Sequence, residues 1–217
     1  MSPVNNSVAV AFSGGLDTSW LVARMAEAGH PVTAISVNTG AWEDKNLAAL
    51  AAHAERLGAT EHVVVDGRDS LYDDHIAWLI RGNVLRGQVY PLCVGVERVV
   101  QARLFAQAAA ERDIGTLVHG STGAGNDQVR FELCYLGMDP NLKCVTLWRE
   151  PEYLAKFEGR QDLLEFGALR KAGQLPLFAF GGPHSQVAVD IGGGQISALT
   201  TEEQFLNSCL KSVGGVG

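Results

Sequence analysis

The sequence lacks any apolar run close to the roughly 18 residues that a membrane-spanning helix needs. Basic residues are in the minority, with 17 Lys and Arg against 24 Asp and Glu and a net charge of −7. Nucleic-acid-binding proteins carry a basic surface, so we expect no nucleic acid and no membrane among the partners. The N-terminus also has no basic segment followed by an apolar one, which favours a cytoplasmic protein.

Cysteine is scarce as well, and its spacing is uninformative. The four cysteines form no C-x-x-C pair and have no histidine partners at the spacing of a zinc finger. We therefore expect reduced thiols in or near a core. The hydrophobic fraction of 47% and the charged fraction of 19% are typical of a folded globular domain.

Strand-like and helix-like segments alternate through the first two thirds of the chain. Strands are predicted at 8–12, 32–37, 62–66, 116–120 and 144–148, and helices lie between them. Apolar strands separated by helices predict an α/β fold, a doubly wound parallel five-stranded sheet with helices on both faces. We assign residues 1–172 to this α/β domain. Residues 173–217 form a C-terminal extension, with a hairpin and a helix, that is too short to be an independent domain.

The stretch "AFSGGLDTSW" stands where the first strand passes into the first helix. A helix N-terminus at the carboxyl end of a parallel strand is an anion site, because its backbone N–H groups are unpaired. Gly14 and Gly15 would let the backbone approach a phosphate, and the hydroxyls of Ser13, Thr18 and Ser19 would add donors. A bare S-G-G would favour a simple tight turn with an N-cap. The longer pattern S-G-G-x-D-T-S in this context favours a phosphate loop.

This loop resembles the pyrophosphate loop of the N-type ATP pyrophosphatases, which cleave ATP to AMP and pyrophosphate. Asp17 has no attraction for phosphate unless a cation stands between them. We therefore interpret it as a residue that binds Mg²⁺ directly or through a neighbouring group.

A second polar segment, "VHGSTGAGNDQVRFE" at 118–132, also joins a strand end to a helix. Its small and hydrogen-bonding residues at a carboxyl strand end are typical of a substrate site. Arg130 offers a bidentate fork for a carboxylate, and Asp127 can pair with an α-ammonium group.

Together the two motifs closely resemble those of the argininosuccinate synthase family. The similarity extends to "QVYPLCVGVERVV", "LKCVTLWREPEY" and "FEGRQDLLEF", and so covers roughly residues 6–166. The resemblance implies an adenine nucleotide alpha hydrolase-like fold. It also implies an ATP- and Mg²⁺-dependent ligase, in which the ureido oxygen of citrulline attacks the α-phosphate of ATP and the amine of aspartate then displaces AMP.

The resemblance also assigns site residues by position. The nucleotide site would comprise Ala11, Phe12, Ser13, Gly14, Gly15, Leu16, Asp17, Thr18, Ser19, Val37 and Gly120. Aspartate would be held by Thr122, Asn126 and Asp127, and the acceptor by Tyr90, Asn126 and Arg130. Ser13, Asp17 and Ser19 are the candidate catalytic residues, which would act by positioning and by stabilising charge rather than as strong bases.

The sequence departs from the family at several of these places. Ala124 stands where the family usually has a lysine, and losing such a donor costs about 10²–10³ in rate in comparable sites. Val94 and Gly95 replace hydroxyl residues near the acceptor, and Cys93 replaces a glycine. Family members also carry a second domain with further citrulline contacts. We therefore expect that a homo-oligomer or partner chain completes the site, that the acceptor is different, or that the domain no longer ligates.

Two alternative functions follow from these departures. One is sulfur or another amine transfer by the same adenylation, with Cys93 as the carrier. The other is a non-catalytic ATP-binding subunit. His119 is interpreted either as a nucleotide contact or as a buried strand-end histidine, and Trp148 as a core indole.

Overall fold

The computed structural model describes residues 6–121 and 125–154. Its elements, in chain order, are β1 (Val8–Ala11), α1 (Leu16–Glu27), β2 (Val32–Asn38), α2 (Asp44–Arg56), β3 (Glu61–Asp66), α3 (Arg68–Leu71), a π-helical turn (Tyr72–Ile76), α4 (Ala77–Arg81), β4 (Leu85–Arg86), β5 (Tyr90–Pro91), α5 (Cys93–Ala110), β6 (Thr116–Val118), α6 (Asp127–Met138), β7 (Lys143–Val145), a 3₁₀ turn (Leu147–Arg149) and α7 (Pro151–Leu154).

Five of the strands form one sheet in the order β3-β2-β1-β6-β7, and every neighbouring pair is parallel. This confirms the predicted doubly wound five-stranded sheet. β1 is central, with Val8 opposite Val32 on one side and opposite Thr116 on the other. The order of the strands reverses between β1 and β6, so the ligand crevice of such a sheet is expected at the carboxyl ends of these two strands.

Alternation along the strands divides the core into two layers. Val8 and Val10 face the layer that contains α1 and α2, while Ala9 and Ile35 face the layer that contains α5 and α6. A buried aromatic contact closes the first layer, where the rings of Trp20 and Trp148 lie 4.6 Å apart. Trp148 is thus the core indole that the sequence predicts.

The structure corrects the predicted bounds in three places. The fifth strand ends at Val145 rather than at residue 148, because the chain leaves the sheet to bury Trp148 in a 3₁₀ turn. The helical segment predicted between the third and fourth strands begins at Arg68 and contains a π-helical turn. The hairpin formed by β4 and β5 was not predicted, since two-residue strands carry no alternation.

The predicted hairpin and helix after residue 172, and the boundary there, lie outside the described residues. Within 6–121 and 125–154, no helix combines the length and the apolar character needed to cross a membrane.

Candidate active site

The first motif forms a tight loop between β1 and α1. Gly14 has a φ of +75°, a conformation that side chains disfavour, so a glycine is required at this position. Gly15 is the N-cap residue in an extended conformation and provides no side-chain cap to the helix. The first turn of α1 therefore presents its backbone N–H groups at the carboxyl edge of the sheet, which is the geometry that binds an anion.

Two hydroxyls of this loop hold it together. The Thr18 hydroxyl donates to the carbonyl oxygen of Gly15 at 3.2 Å and accepts from the backbone N–H of Ser13 at 3.3 Å. The Ser13 and Thr18 hydroxyl oxygens lie 3.1 Å apart, and the Ser13 oxygen accepts from the Gly15 N–H at 3.4 Å. Because both hydroxyls are engaged within the loop, they preorganise the backbone donors.

Ser19 faces the interior. It is buried, and its hydroxyl lies 2.8 Å from Nε2 of His53 on α2 and 3.4 Å from the carbonyl oxygen of Gly14. If Nε2 of His53 donates to Ser19, the Ser19 proton is available for Gly14, and both contacts are satisfied. Burial, and to a smaller extent the Arg56 guanidinium, lowers the pKa of His53 to about 4. A neutral imidazole on α2 thus hydrogen-bonds to Ser19, in the first turn of the helix that follows the loop.

The second motif meets the first at Gly120, which follows β6. A Cβ atom placed on Gly120 would lie 3.2 Å from Cγ2 of Thr18 and 3.8 Å from Cβ of Asp17. The glycine therefore permits a close approach between the loop after β6 and the first turn of α1. Asp17 itself is exposed in that first turn, where a carboxylate can reach a cation bound beside the loop.

Three charged side chains of the second motif and α5 form one cluster. Asp127 Oδ1 accepts from Arg130 Nη1 at 2.7 Å, and Asp127 Oδ2 accepts from Arg98 Nε at 3.2 Å. The structure thus brings together two of the predicted substrate residues and adds Arg98, which the sequence analysis missed. A Cβ atom on Gly95 would lie 3.9 Å from Arg130 Nε, so this departure from the family pattern lies beside the same guanidinium.

A buried carboxylate extends this cluster. Glu97 on α5 is 1% exposed, and its Oε1 accepts from the Thr39 hydroxyl at 2.7 Å and from Gln101 Nε2 at 3.3 Å. Gln101 in turn accepts from Arg98 Nη1 at 2.7 Å. These contacts join the end of β2 to the Asp127 cluster. No pattern in the sequence indicates that Glu97 is buried, because a single acidic residue in a helix is normally exposed.

The other predicted residues are placed less directly. Val37 is buried with its side chain in the core, and the ring of Phe12 packs against the ring of His53. Asn126 is exposed at the N-cap of α6, and Tyr90 is half-buried on β5. Ala11 and Leu16 are partly buried at the two ends of the loop. Thr122 and Ala124 lie outside the described residues.

Comparison with known proteins identifies the family of this chain. Residues 7–172 match the family described as "Arginosuccinate synthase N-terminal HUP domain". The chain belongs to the argininosuccinate synthase family. This agrees with the resemblance carried by the two motifs and with the adenine nucleotide alpha hydrolase-like fold.

Individual argininosuccinate synthases are similar over the same region. The one from Saccharomyces cerevisiae is 38% identical over 161 residues, which are 74% of this chain and 38% of the relative. The one from Thermotoga maritima is 37% identical over 163 residues, which are 75% of this chain and 39% of the relative. The chain thus spans less than half the length of the argininosuccinate synthases that it matches.

Among solved structures, a predicted subunit of tRNA methyltransferase from Methanocaldococcus jannaschii is 18% identical, with a TM-score of 0.49. The aligned region covers 76% of this chain and 75% of that protein's chain. Similarity at this level indicates nothing about function.

Proposed function

We propose that this chain is an AMP-forming, ATP-dependent carbon–nitrogen ligase of the argininosuccinate synthase type. It would adenylate an oxygen of citrulline, or of an analogous acceptor, and couple the product to aspartate. The observation that carries this proposal is the close approach of the two motifs at Gly120. A Cβ atom placed on this glycine would lie 3.2 Å from Cγ2 of Thr18. This contact supports a shared site in which the first turn of α1 would bind phosphate and the second motif would bind an amino acid.

The nucleotide would be bound mainly by the backbone. Gly14 and Gly15 leave the N–H groups of the first turn of α1 unobstructed by side chains, while Ser13 and Thr18 fix the loop through the hydrogen bonds described above. Preorganised donors of this kind stabilise the charge that develops on phosphate oxygens, and they need no reorganisation during the reaction.

Asp17 is the residue that would hold Mg²⁺. Asp17 is exposed in the first turn of α1, and its Cβ lies 3.8 Å from the position of a Cβ on Gly120, so its carboxylate would be near a cation shared with the phosphates. When bound, Mg²⁺ neutralises phosphate charge. The role of Asp17 is to fix that charge at the end of the loop.

An amino-acid substrate would be recognised by exchange of ion pairs. In the structure, Asp127 is paired with Arg130 and Arg98. A zwitterion can replace these pairs in kind, because its carboxylate suits a guanidinium and its ammonium group suits the carboxylate of Asp127. Asn126 and Thr122 would add polar contacts to the same substrate, and Tyr90 to the acceptor.

The domain assignment belongs to the same proposal. We assign nucleotide binding to residues 1–172 and treat 173–217 as an extension of that domain. Since the chain matches about 38% of the length of its relatives, acceptor contacts beyond this region would come from further protein, in this chain or in another copy or partner.

Turnover with defined substrates tests the proposal. Purified protein is mixed with Mg-ATP and aspartate, with and without citrulline, and pyrophosphate, AMP and new masses are measured. We expect citrulline-dependent AMP and a product with the mass of argininosuccinate. Pyrophosphate release with a different amine or acceptor would replace aspartate or citrulline in the proposal but keep the adenylation.

Two results would contradict the proposal. ATP binding without pyrophosphate release in any mixture would favour a non-catalytic ATP-binding subunit. Loss of turnover in Cys93→Ser would favour sulfur transfer; in the structure, the Cys93 thiol lies 3.6 Å from the carbonyl oxygen of Pro91.

A further inference from the structure

Three side chains with metal-binding atoms meet on the side of β6 away from the nucleotide loop. They are His119 at the end of β6, Glu132 on α6 and Cys144 on β7, and their ligand atoms all lie within 4.8 Å of one another. Nε2 of His119 is 3.9 Å from Oε1 of Glu132. The His119 ring packs against Phe131, with centroids 5.4 Å apart, so it faces α6 while the adjacent Gly120 faces α1.

The histidine in this cluster has an unused polar atom. His119 is 1% exposed, and its Nε2 has no hydrogen-bond partner among the described residues. Burial, and to a smaller extent Arg149, lowers the pKa of His119 to about 4, so the ring is neutral. Neutral imidazole is the form that binds metals. A buried, unpartnered ring nitrogen 3.9 Å from a carboxylate oxygen calls for a third atom between them.

We propose that His119, Glu132 and Cys144 form a binding site for a thiophilic divalent cation, with Zn²⁺ as the expected ion. Imidazole nitrogen, carboxylate oxygen and thiolate sulfur are zinc ligands, and a thiolate selects zinc over magnesium. Three protein ligands leave one position of a tetrahedral ion for water.

The distances are those of an open site that closes slightly on binding. Zinc bonds of about 2.0–2.3 Å at tetrahedral angles place ligand atoms about 3.3–3.6 Å apart. The observed separation of 3.9 Å between His119 and Glu132, and the upper limit of 4.8 Å for the set, therefore require side-chain shifts of about 1 Å.

The surroundings support this ligand set. Arg149 Nη1 donates at 2.6 Å to Glu132 Oε1, the same oxygen that lies 3.9 Å from His119 Nε2, so this hydrogen bond orients the carboxylate beside the ring. Burial, and then Glu132, raises the pKa of Cys144 to about 12, so the thiol is protonated in the absence of metal. Its proton is released to solvent as the sulfur–metal bond forms.

The His119 ring must change tautomer for this purpose. Nδ1 lies 3.3 Å from the backbone N–H of Ser121, a long contact in which Nδ1 is the acceptor. Coordination through Nε2 moves the ring proton to Nδ1 and breaks this contact. A bound ion would thus tie β6, β7 and α6 together while releasing the first residue after Gly120.

Cobalt binding tests the site independently of any enzymatic activity. The full chain is stripped with a chelator and titrated with Co²⁺, whose thiolate charge-transfer absorption reports a sulfur ligand, and then with Zn²⁺ in competition. We expect one equivalent of Co²⁺ with a charge-transfer band. Cys144→Ser should abolish the band and weaken Zn²⁺ binding by more than about 100-fold, since loss of an outer contact alone costs 10–100-fold.

Cys134→Ser is the matched control. Cys134 is a half-buried cysteine on α6 outside the cluster, so this variant should keep the band. Glu132→Gln should keep the band but weaken binding, which tests the site even if Cys144→Ser does not fold. The proposal is overturned if the wild type shows no band, if the band survives in Cys144→Ser, or if it disappears in Cys134→Ser.

Discussion

The buried imidazole of His53 should make the stability of this domain depend on pH. Its pKa is about 4 in the folded chain, against an ordinary value of 6.5 for an exposed histidine. Between these two values the unfolded chain binds a proton that the folded chain does not. The contribution of neutral His53 to the free energy of unfolding is therefore complete above pH 6.5 and is lost progressively as the pH falls towards 4.

The size of the effect follows from the two pKa values. At pH 5 almost every unfolded chain carries the proton and about one folded chain in ten does, so the free energy of unfolding should fall by about 2 kcal/mol relative to pH 7.5. A small domain is stable by about 5–15 kcal/mol, so this loss is measurable. The loss of about 2 kcal/mol is the share of His53 alone. Burial also lowers the pKa of His62 and lowers that of His119 to about 4, so a variant is needed to isolate His53.

Urea unfolding followed by tryptophan fluorescence, repeated from pH 7.5 to 5, provides the measurement. His53→Gln keeps a side-chain amide near Ser19 but cannot titrate, so its stability curve should be flatter than that of the wild type by about 2 kcal/mol. Ser19→Ala removes the hydroxyl and keeps the buried ring; because burial is the larger cause of the shift, this control should retain the pH dependence. Parallel curves for wild type and His53→Gln would refute the reasoning.

Three further predictions concern ligand binding. Gly14→Val places a branched side chain at a φ of +75°, which costs roughly 1–3 kcal/mol. Calorimetry should show that ATP binding is lost, while circular dichroism should show an intact fold. Unchanged ATP affinity would count against the phosphate loop. Gly120→Ala brings a methyl group to 3.2 Å from Thr18 Cγ2, so the same titration should give weaker ATP binding; affinity equal to wild type would mean that the two motifs do not share a ligand. Asp127→Ala should leave ATP affinity unchanged and abolish amine-dependent turnover, and lost ATP affinity would assign Asp127 to the nucleotide instead.

The sequence predicts the sheet and its helix boundaries well, because these depend on local patterns. The apolar run 8–12 and the glycines after it gave β1 and the start of α1. Gly29 and Gly58, which follow the ends of α1 and α2, have φ values of +85° and +97°, a conformation typical of the glycine that ends a helix. Such positions are decided within one or two turns of chain.

The composition of the charged cluster could not be predicted in the same way. Arg98 and Glu97 are neighbours on α5, and only the packing of that helix over the end of β2 decides that Glu97 contacts Thr39 while Arg98 contacts Asp127. The inward direction of Ser19 has the same origin, since its partner His53 lies 34 positions away on another helix. Contacts of this kind depend on tertiary structure and leave no periodic trace in the sequence.

The central position of β1 has a consequence for folding during synthesis. One of its two sheet neighbours, β2, is complete by Asn38, but the other, β6, ends only at Val118. At a translation rate of about 5–20 residues per second, β1 remains an open edge strand for several seconds. Until β6 has been synthesised, the phosphate loop lacks its contact with Gly120, and the exposed edge of β1 can pair with another chain. A nascent domain of this topology therefore gains ligand-binding ability late and depends on early protection of β1.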